Sequence, residues 1–339
     1  ARRFVIATGS RPTVPAIPGL KDVPYFTNET LYDSKECPDH LIILGGGPIG
    51  MEMALAFRRL GSRVTVIEAS EPLNKEDPEL AAVVLNAMVL EGVEILRKTA
   101  LESVARNSKG IAAKVAGGRV IEGTHLLVAA GRQPNIEDLN LEAAGIARTE
   151  KGVTIDRGLR TTNRKVYAIG DVAGAAQFTH LAACHAGLVV RNALFGLPVN
   201  AEAQVIPRVT FTDPELAQAG LTEAEARAIH GDATTILREP FAANDRAQTD
   251  GKTEGLIKVV MGKRGRILGV GIVGKGAGEI IQPWILAMSQ KLGVKSLVDM
   301  VAPYPTRGNL NRGAALKYYA SLATNPWVRR VIDVLARFR

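Results

Sequence analysis

Cysteine is nearly absent. Cys37 and Cys184 are the only two in 339 residues, too few and too far apart for a thiolate metal cluster or a CxxC redox pair. Any redox chemistry therefore has to come from a bound cofactor or from sequence outside this chain. Two thiols without a disulfide framework suit a reducing compartment, so a cytoplasmic location is expected. Aromatics are sparse as well, at 5%, and no basic run is interleaved with stacking side chains. The formal charge of +8 therefore does not point to nucleic acid, and anionic dinucleotides are the simpler explanation of the excess. No stretch approaches the ~18 consecutive apolar residues of a membrane-spanning helix. The opening Ala1-Arg2-Arg3-Phe4 leads into a short strand pattern in place of a signal-peptide core. What is present is a globular composition, 46% hydrophobic and 22% charged, on a chain longer than one core usually serves, so two or three domains are expected. The first residue is not Met and lies mid-way through a structural pattern, so the chain is expected to be part of a longer one.

The segment from Arg3 to Ala7 reads as a short apolar strand ended by Thr8-Gly9-Ser10, and the prolines 12, 15, 18 and 24 mark a connector to another domain. Leu41–Leu44 is a buried-strand run that stops at three glycines. Ile49, Met53, Ala56, Phe57 and Leu60 then recur at helical spacing. A second strand, 63–67, a helix from about 78 to 91 and a strand at 93–96 complete a βαβαβ unit. An antiparallel excursion from residue 100 through 111–115 and 119–121 leads to a closing strand, 125–129. A further strand and glycine turn at 166–171 precede a helix expected over 181–195. Beyond Pro198 the pattern changes to short strands (208–211, 255–260, 267–273) with helical stretches at 223–228, 276–292 and 310–322, an α+β domain of another type.

Gly45-x-Gly47-x-x-Gly50 follows a strand, opens an amphipathic helix and has Glu68 at the end of the next strand, which together form the dinucleotide-binding fingerprint. Gly45 permits the tight turn, Gly47 lets the backbone approach a pyrophosphate, and Gly50 lets helix and strand pack closely. Glu68 is suited to the two adenosine ribose hydroxyls and repels a 2′-phosphate, which favours NAD over NADP. Glu52, read as lying in the first helical turn, either complements the helix dipole or reaches the carboxamide end of a stretched dinucleotide. Asp171, at a strand's carboxyl end before a helix, suits either a polyol hydroxyl or an N-cap.

These residues resemble the pyridine nucleotide-disulfide oxidoreductases, the flavoprotein family of glutathione reductase, dihydrolipoamide dehydrogenase and mercuric reductase. The resemblance spans five motifs in order: ATGSRP at 7–12, GGGPIGME at 45–52, AGRQPN at 130–135, YAIGD at 167–171 and FTDPE at 211–215. It implies an α/β fold in which a Rossmann-type NAD domain (37–130) is inserted in a partial FAD domain (1–12 and 131–198). A crossover linker (13–36) leads into the insert, and an α+β dimer-interface domain (199–324) and a basic amphipathic tail (325–339) follow. It also implies FAD and NAD as cofactors, a homodimer, and hydride transfer from NADH to flavin and on to an unidentified small-molecule acceptor. By the same resemblance Asp171 binds the flavin ribityl chain, the backbone around Leu181 and Ala182 meets the flavin pyrimidine side, and Glu52 meets the nicotinamide amide. Thr8 and Gly9 lie near the flavin and Gly131 near the nicotinamide.

Two departures qualify what the resemblance implies. The family's N-terminal third, with its own GxGxxG and a CxxxxC redox pair, is not in this sequence, so the chain is expected to bind NAD, hold little FAD and reduce no disulfides. Where disulfide-reducing members carry HPTxxE, this sequence reads Tyr304-Pro305-Thr306-Arg307-Gly308-Asn309. A phenol of pKa ~10 does not replace a near-neutral imidazole as proton shuttle. Tyr304 is instead assigned to an acceptor site on the partner's flavin face, and Tyr at this place is similar to the mercuric reductase branch, whose C-terminal cysteine pair is absent here. A mercuric reductase-like oxidoreductase is the resulting reading. A soluble transhydrogenase, a dihydrolipoamide dehydrogenase and a non-catalytic NAD-binding dimerisation module stay open. The tail, rich in Trp327, Val331, Leu335 and Phe338 with Arg329, Arg330, Arg337 and Arg339, either docks on its own domain or a dimer mate or lies on an anionic membrane surface.

Overall fold

The structure is a computed structural model describing residues 1–108, 110–174, 176–323 and 326–337. In chain order, β1 (Phe4–Ile6) and β2 (Ser10–Pro12) precede β3 (His40–Leu44), α1 (Pro48–Arg59), β4 (Arg63–Ile67), α2 (Pro78–Leu90) and β5 (Glu94–Leu96). Next come β6 (Leu101–Asn107), β7 (Gly110–Val115), β8 (Val120–Gly123), β9 (His125–Val128) and β10 (Arg132–Pro134). The two-residue strands β11 (Arg148–Thr149) and β12 (Gly152–Val153), β13 (Val166–Ala168) and α3 (Thr179–Phe195) follow. The remainder holds β14 (Pro207–Thr210), β15 (Glu215–Gly220), α4 (Glu223–His230), β16 (Thr235–Pro240), α5 (Asp245–Thr249), β17 (Leu256–Met261) and β18 (Ile267–Gly274). The helices α6 (Ala277–Ile280), α7 (Gln282–Ser289), α8 (Lys295–Asp299), α9 (Asn309–Ala323) and α10 (Pro326–Ala336) end the described chain.

The chain forms two compact units. The first comprises Ala1–Gly50, Thr65–Ala69 and Lys98–Gln204; the second comprises Met51–Val64, Ser70–Arg97 and Val205–Arg339. In the first, every residue of β3 is buried, as a strand covered on both faces requires. It runs parallel to β9 from Leu41↔His125 to Leu44↔Val128. The antiparallel excursion is the β6-β7-β8 meander. β1 pairs in parallel with β13, its one partner strand among the described residues, which leaves Phe4 and Val5 about half exposed, at 51% and 49%. The strand is shorter than the expected 3–7, and α3 begins at Thr179, two residues before the expected start.

The second unit is built on an antiparallel sheet of order β14-β15-β18-β17-β16. β18 is buried throughout, and its glycines admit neighbours: a Cβ on Gly271 would stand 2.2 Å from the Leu80 side chain. Trp284 is fully buried, and its indole donates to Asn311 Oδ1 at 2.7 Å while Asn311 donates to the Ile280 carbonyl. Three expectations need correction. β15 and β16 are strands the sequence pattern did not show, because Ala, Gln and Gly dominate β15 and its pairing with two strands, rather than propensity, holds it. The single helix expected over 276–292 is two, α6 and α7, with Pro283 near the start of the second, where a missing N–H costs nothing. The short helix α8 was also not expected.

A charged cluster is buried in this unit. Lys258 on β17 and Asp77, the N-cap of α2, are each 5% exposed at the side chain. The Lys258 ammonium lies 2.8 Å from carboxylate oxygens of Asp77, Glu79 and Glu223. Arg238 adds hydrogen bonds to Glu79 at 2.8 Å. These cations hold the Glu79 carboxyl well below its ordinary 4.5, at about 2. The Asp77 amide donates to the buried Gln218 at 3.0 Å.

Candidate dinucleotide and flavin site

The glycine loop is shaped by backbone contact. Gly45 has φ +112°, and a Cβ there would lie 2.4 Å from the Ala129 carbonyl oxygen, so only glycine fits between β3 and β9. A Cβ on Gly50 would lie 2.0 Å from the Gly45 carbonyl oxygen, which seats the start of α1 directly on the loop. Gly47 differs: nothing stands within 4 Å of where its Cβ would be. That open space above backbone amides at a helix start is what a pyrophosphate needs. Glu68 closes the loop from β4, its Oε2 accepting the Gly46 amide at 2.7 Å. Gly46, unassigned by sequence reasoning, is thus a residue that orients the Glu68 carboxylate.

The residues that the resemblance assigns to the flavin also meet in the first unit. The ATGSRP and AGRQPN segments clasp each other. Thr8 Oγ1 donates to the Asn135 carbonyl at 2.7 Å, Asn135 Nδ2 donates to the Thr8 carbonyl at 2.9 Å, and β2 pairs with β10. Gly9, at φ +69°, has no neighbour within 4 Å of its Cβ position, and a Cβ on Gly131 would meet only Thr13 Oγ1, at 4.0 Å, so both present bare backbone. Asp171 accepts from Ser10 Oγ at 2.5 Å, and Ser10 Oγ accepts from Arg132 Nε at 2.7 Å. Arg132 also donates to Asn28 Oδ1 and to the Ser10 carbonyl. Ser10 and Arg132 were missed by sequence reasoning, although both sit inside the quoted motifs.

Leu181 and Ala182 lie at the start of α3. Their amides both donate to the Phe178 carbonyl at 3.1 Å, so they are spent inside the first turn of α3, and the helix's open amide end lies upstream, beginning at Thr179. Leu181 is buried, and a Cβ on Gly170 would meet Ala182 Cβ at 3.1 Å, so the pair anchors α3 against the turn that carries Asp171. His185 accepts the Gly170 amide through Nδ1 at 3.3 Å, and burial lowers its pKa.

Glu52 and Tyr304 belong to the second unit. Glu52 is the fifth residue of α1, beyond the first turn that the sequence suggested, so dipole complementation is not its role. Its Oε1 accepts the Phe211 amide at 2.8 Å, tying the GGGPIGME and FTDPE motifs together, and burial raises its pKa despite that bond. Tyr304 is 70% exposed, and its hydroxyl donates to Asp245 Oδ2 at 2.8 Å. The neighbouring carboxylate raises the phenol's pKa, so it is a proton holder and not a base at neutral pH.

A glycine loop closed by an acidic strand end, a second acid held at a strand–helix turn, and a five-stranded α+β unit define a dinucleotide-binding flavoprotein reductase architecture. Residues 1–186 match the family described as pyridine nucleotide-disulphide oxidoreductase, and residues 206–312 match its dimerisation domain; the chain belongs to this family. Among its relatives is a mercuric reductase from Lysinibacillus sphaericus, 39% identical over 324 residues that cover 94% of this chain and 59% of that protein. A mercuric reductase from Streptomyces lividans is 37% identical over 331 residues, covering 95% and 69%. The HOCl-induced flavoprotein disulfide reductase RclA from Escherichia coli superposes with a TM-score of 0.86 at 30% identity, over 93% of this chain and 73% of that one. This chain thus spans 59% of the length of the first relative.

Proposed function

We propose that this chain carries the pyridine-nucleotide site, the flavin-ring half of the FAD site and the dimer-forming domain of an NADH-using flavoprotein oxidoreductase akin to the mercuric reductases. The observation that carries the reading is Glu68, fixed against the Gly46 amide at 2.7 Å beside the open Gly47. The residues fit both groups. Gly47 leaves room for a pyrophosphate, the start of α1 stabilises its charge, and Glu68 accepts ribose hydroxyls. Glu52, held by the Phe211 amide, offers its carboxylate to the carboxamide end, and Asp171, held by Ser10, offers its own to a polyol hydroxyl. A flavin, when bound, supplies two-electron acceptance from the dinucleotide. In this reading Tyr304 faces the acceptor from a two-fold partner, as hydrogen-bond donor or steric wall.

NADH is expected to bind more tightly than NADPH, because a 2′-phosphate would meet the Glu68 carboxylate. Glu68→Ala is expected to weaken NADH about tenfold, the loss of charge-assisted hydrogen bonds. Fluorescence titration with both nucleotides tests this, and equal or tighter NADPH binding by the unaltered chain would overturn it. A second expectation concerns Tyr304→Phe in flavin-loaded protein. NADH-driven bleaching of the flavin band should stay within about twofold while turnover with an acceptor changes, since a phenol donor is not needed for the first half-reaction. Stopped-flow traces showing lost flavin reduction would refute the assignment.

A further inference from the structure

Among the described residues, the helix α10 (Pro326–Ala336) leaves its apolar side exposed. At 100° per residue, Trp327, Val331, Val334 and Leu335 share one face, with Val328 and Ile332 at its edge, while Arg329, Arg330, Asp333 and Arg337 share the other. Trp327 is 73% exposed, Leu335 61%, Val331 57%, Ile332 53% and Val334 52%. A helix packed in protein buries its stripe, and this one presents it. We propose that α10 lies in the surface of an anionic phospholipid membrane, apolar face down.

Charge selects this occupant. The polar face carries Arg329, Arg330 and Arg337 against the single acid Asp333, a match for anionic headgroups. A second copy of the helix fits poorly. Each copy would bring three arginines against one acid, Asp333, and an apolar arc this wide exceeds the narrow seam of a helix pair. The Arg330 guanidinium sits 5.4 Å from the Trp327 ring centroid, placing a cation beside an amphipathic indole at the edge of the apolar face, as suits headgroup depth. Among the described residues no helix is long and apolar enough to cross a membrane, so the contact is peripheral. Phe338 and Arg339, part of the same tail in the sequence, lie outside the described residues, as does Asn325.

The test is co-sedimentation of the chain with phosphatidylcholine vesicles, with and without about 30% phosphatidylglycerol, read alongside tryptophan emission. Of the two tryptophans, Trp284 is already fully buried, so a blue shift on binding reports Trp327. Binding is expected to the anionic vesicles only and to weaken with salt. Arg329→Gln/Arg330→Gln/Arg337→Gln should lower the partition coefficient about a hundredfold, and Val331→Asp/Leu335→Asp should abolish binding and the blue shift. All five side chains are solvent-facing, and circular dichroism with an unchanged melting transition verifies that the variants fold. No binding by the unaltered chain overturns the proposal. So does a Val331→Asp/Leu335→Asp chain that binds vesicles normally, and if that chain also sediments as a smaller species, the face is a contact between copies.

Discussion

A Lys258→Ala chain is expected to lose about 3–5 kcal/mol of stability, because it strands carboxylates in the interior without their shared cation. The Lys258 ammonium is the group that Asp77, Glu79 and Glu223 all approach at 2.8 Å, and Asp77 is as buried as the lysine. By contrast Lys295→Ala, which removes an exposed ion pair with Asp299, should leave stability nearly unchanged. Urea midpoints of the two variants against the unaltered chain make the comparison. A Lys258→Ala midpoint equal to that of Lys295→Ala would show that the cluster adds nothing. The effect should also depend on pH. Glu79, lowered from 4.5 to about 2 in the folded chain, and Glu223, also lowered, contribute stability that is fully present above the ordinary carboxylate pKa. That contribution is lost as pH falls through the folded value. The gap between the unaltered chain and Lys258→Ala should therefore be widest near neutrality and shrink between pH 4.5 and 2.

Gly50→Ala and Gly47→Ala are expected to separate folding from nucleotide binding. The Gly50 Cβ would lie 2.0 Å from a backbone oxygen that has no flexible side chain to give way, so α1 must lift off the loop. That overpacking costs about 1–3 kcal/mol or more, and displacing the phosphate-facing amides should lower NADH affinity at least about a hundredfold. The Gly47 Cβ meets nothing, so Gly47→Ala should melt within a degree or two of the unaltered chain while the methyl, filling space meant for phosphate, lowers NADH affinity about tenfold or more. Calorimetric melting and NADH titration on both variants supply the readouts. Unchanged affinity in Gly47→Ala would mean that the loop is built for packing alone and would remove the foundation of the nucleotide-site assignment.

The glycine loop, its flanking strand and helix, and Glu68 were legible because each is a local pattern: a buried run, a turn only glycine permits, a 3.6-residue repeat and an acid at the next strand's end. The tail's amphipathic face was equally legible, since a helix of this spacing sorts its side chains whatever surrounds it. Tertiary structure alone decided the partners of those residues. Ser10 reads as a turn serine in sequence, yet it joins Asp171 to Arg132 because the β2–β10 pairing brings segments more than a hundred residues apart into register. Glu52 reads as a dipole partner or a carboxamide ligand, and only the fold sets the Phe211 amide against it. β15 lacks any strand signature and becomes one because β14 and β18 flank it. Nothing in the spacing of Asp77, Glu223 and Lys258 foretells a buried charge cluster, and nothing in the tail's own pattern says whether its apolar face is covered. The amino-acid sequence by itself determined what each segment can be, since backbone sterics and hydrophobic period act over a few residues. The tertiary structure decided which charges are buried together and which apolar face is left open, because burial depends on surfaces that meet only when distant segments pack.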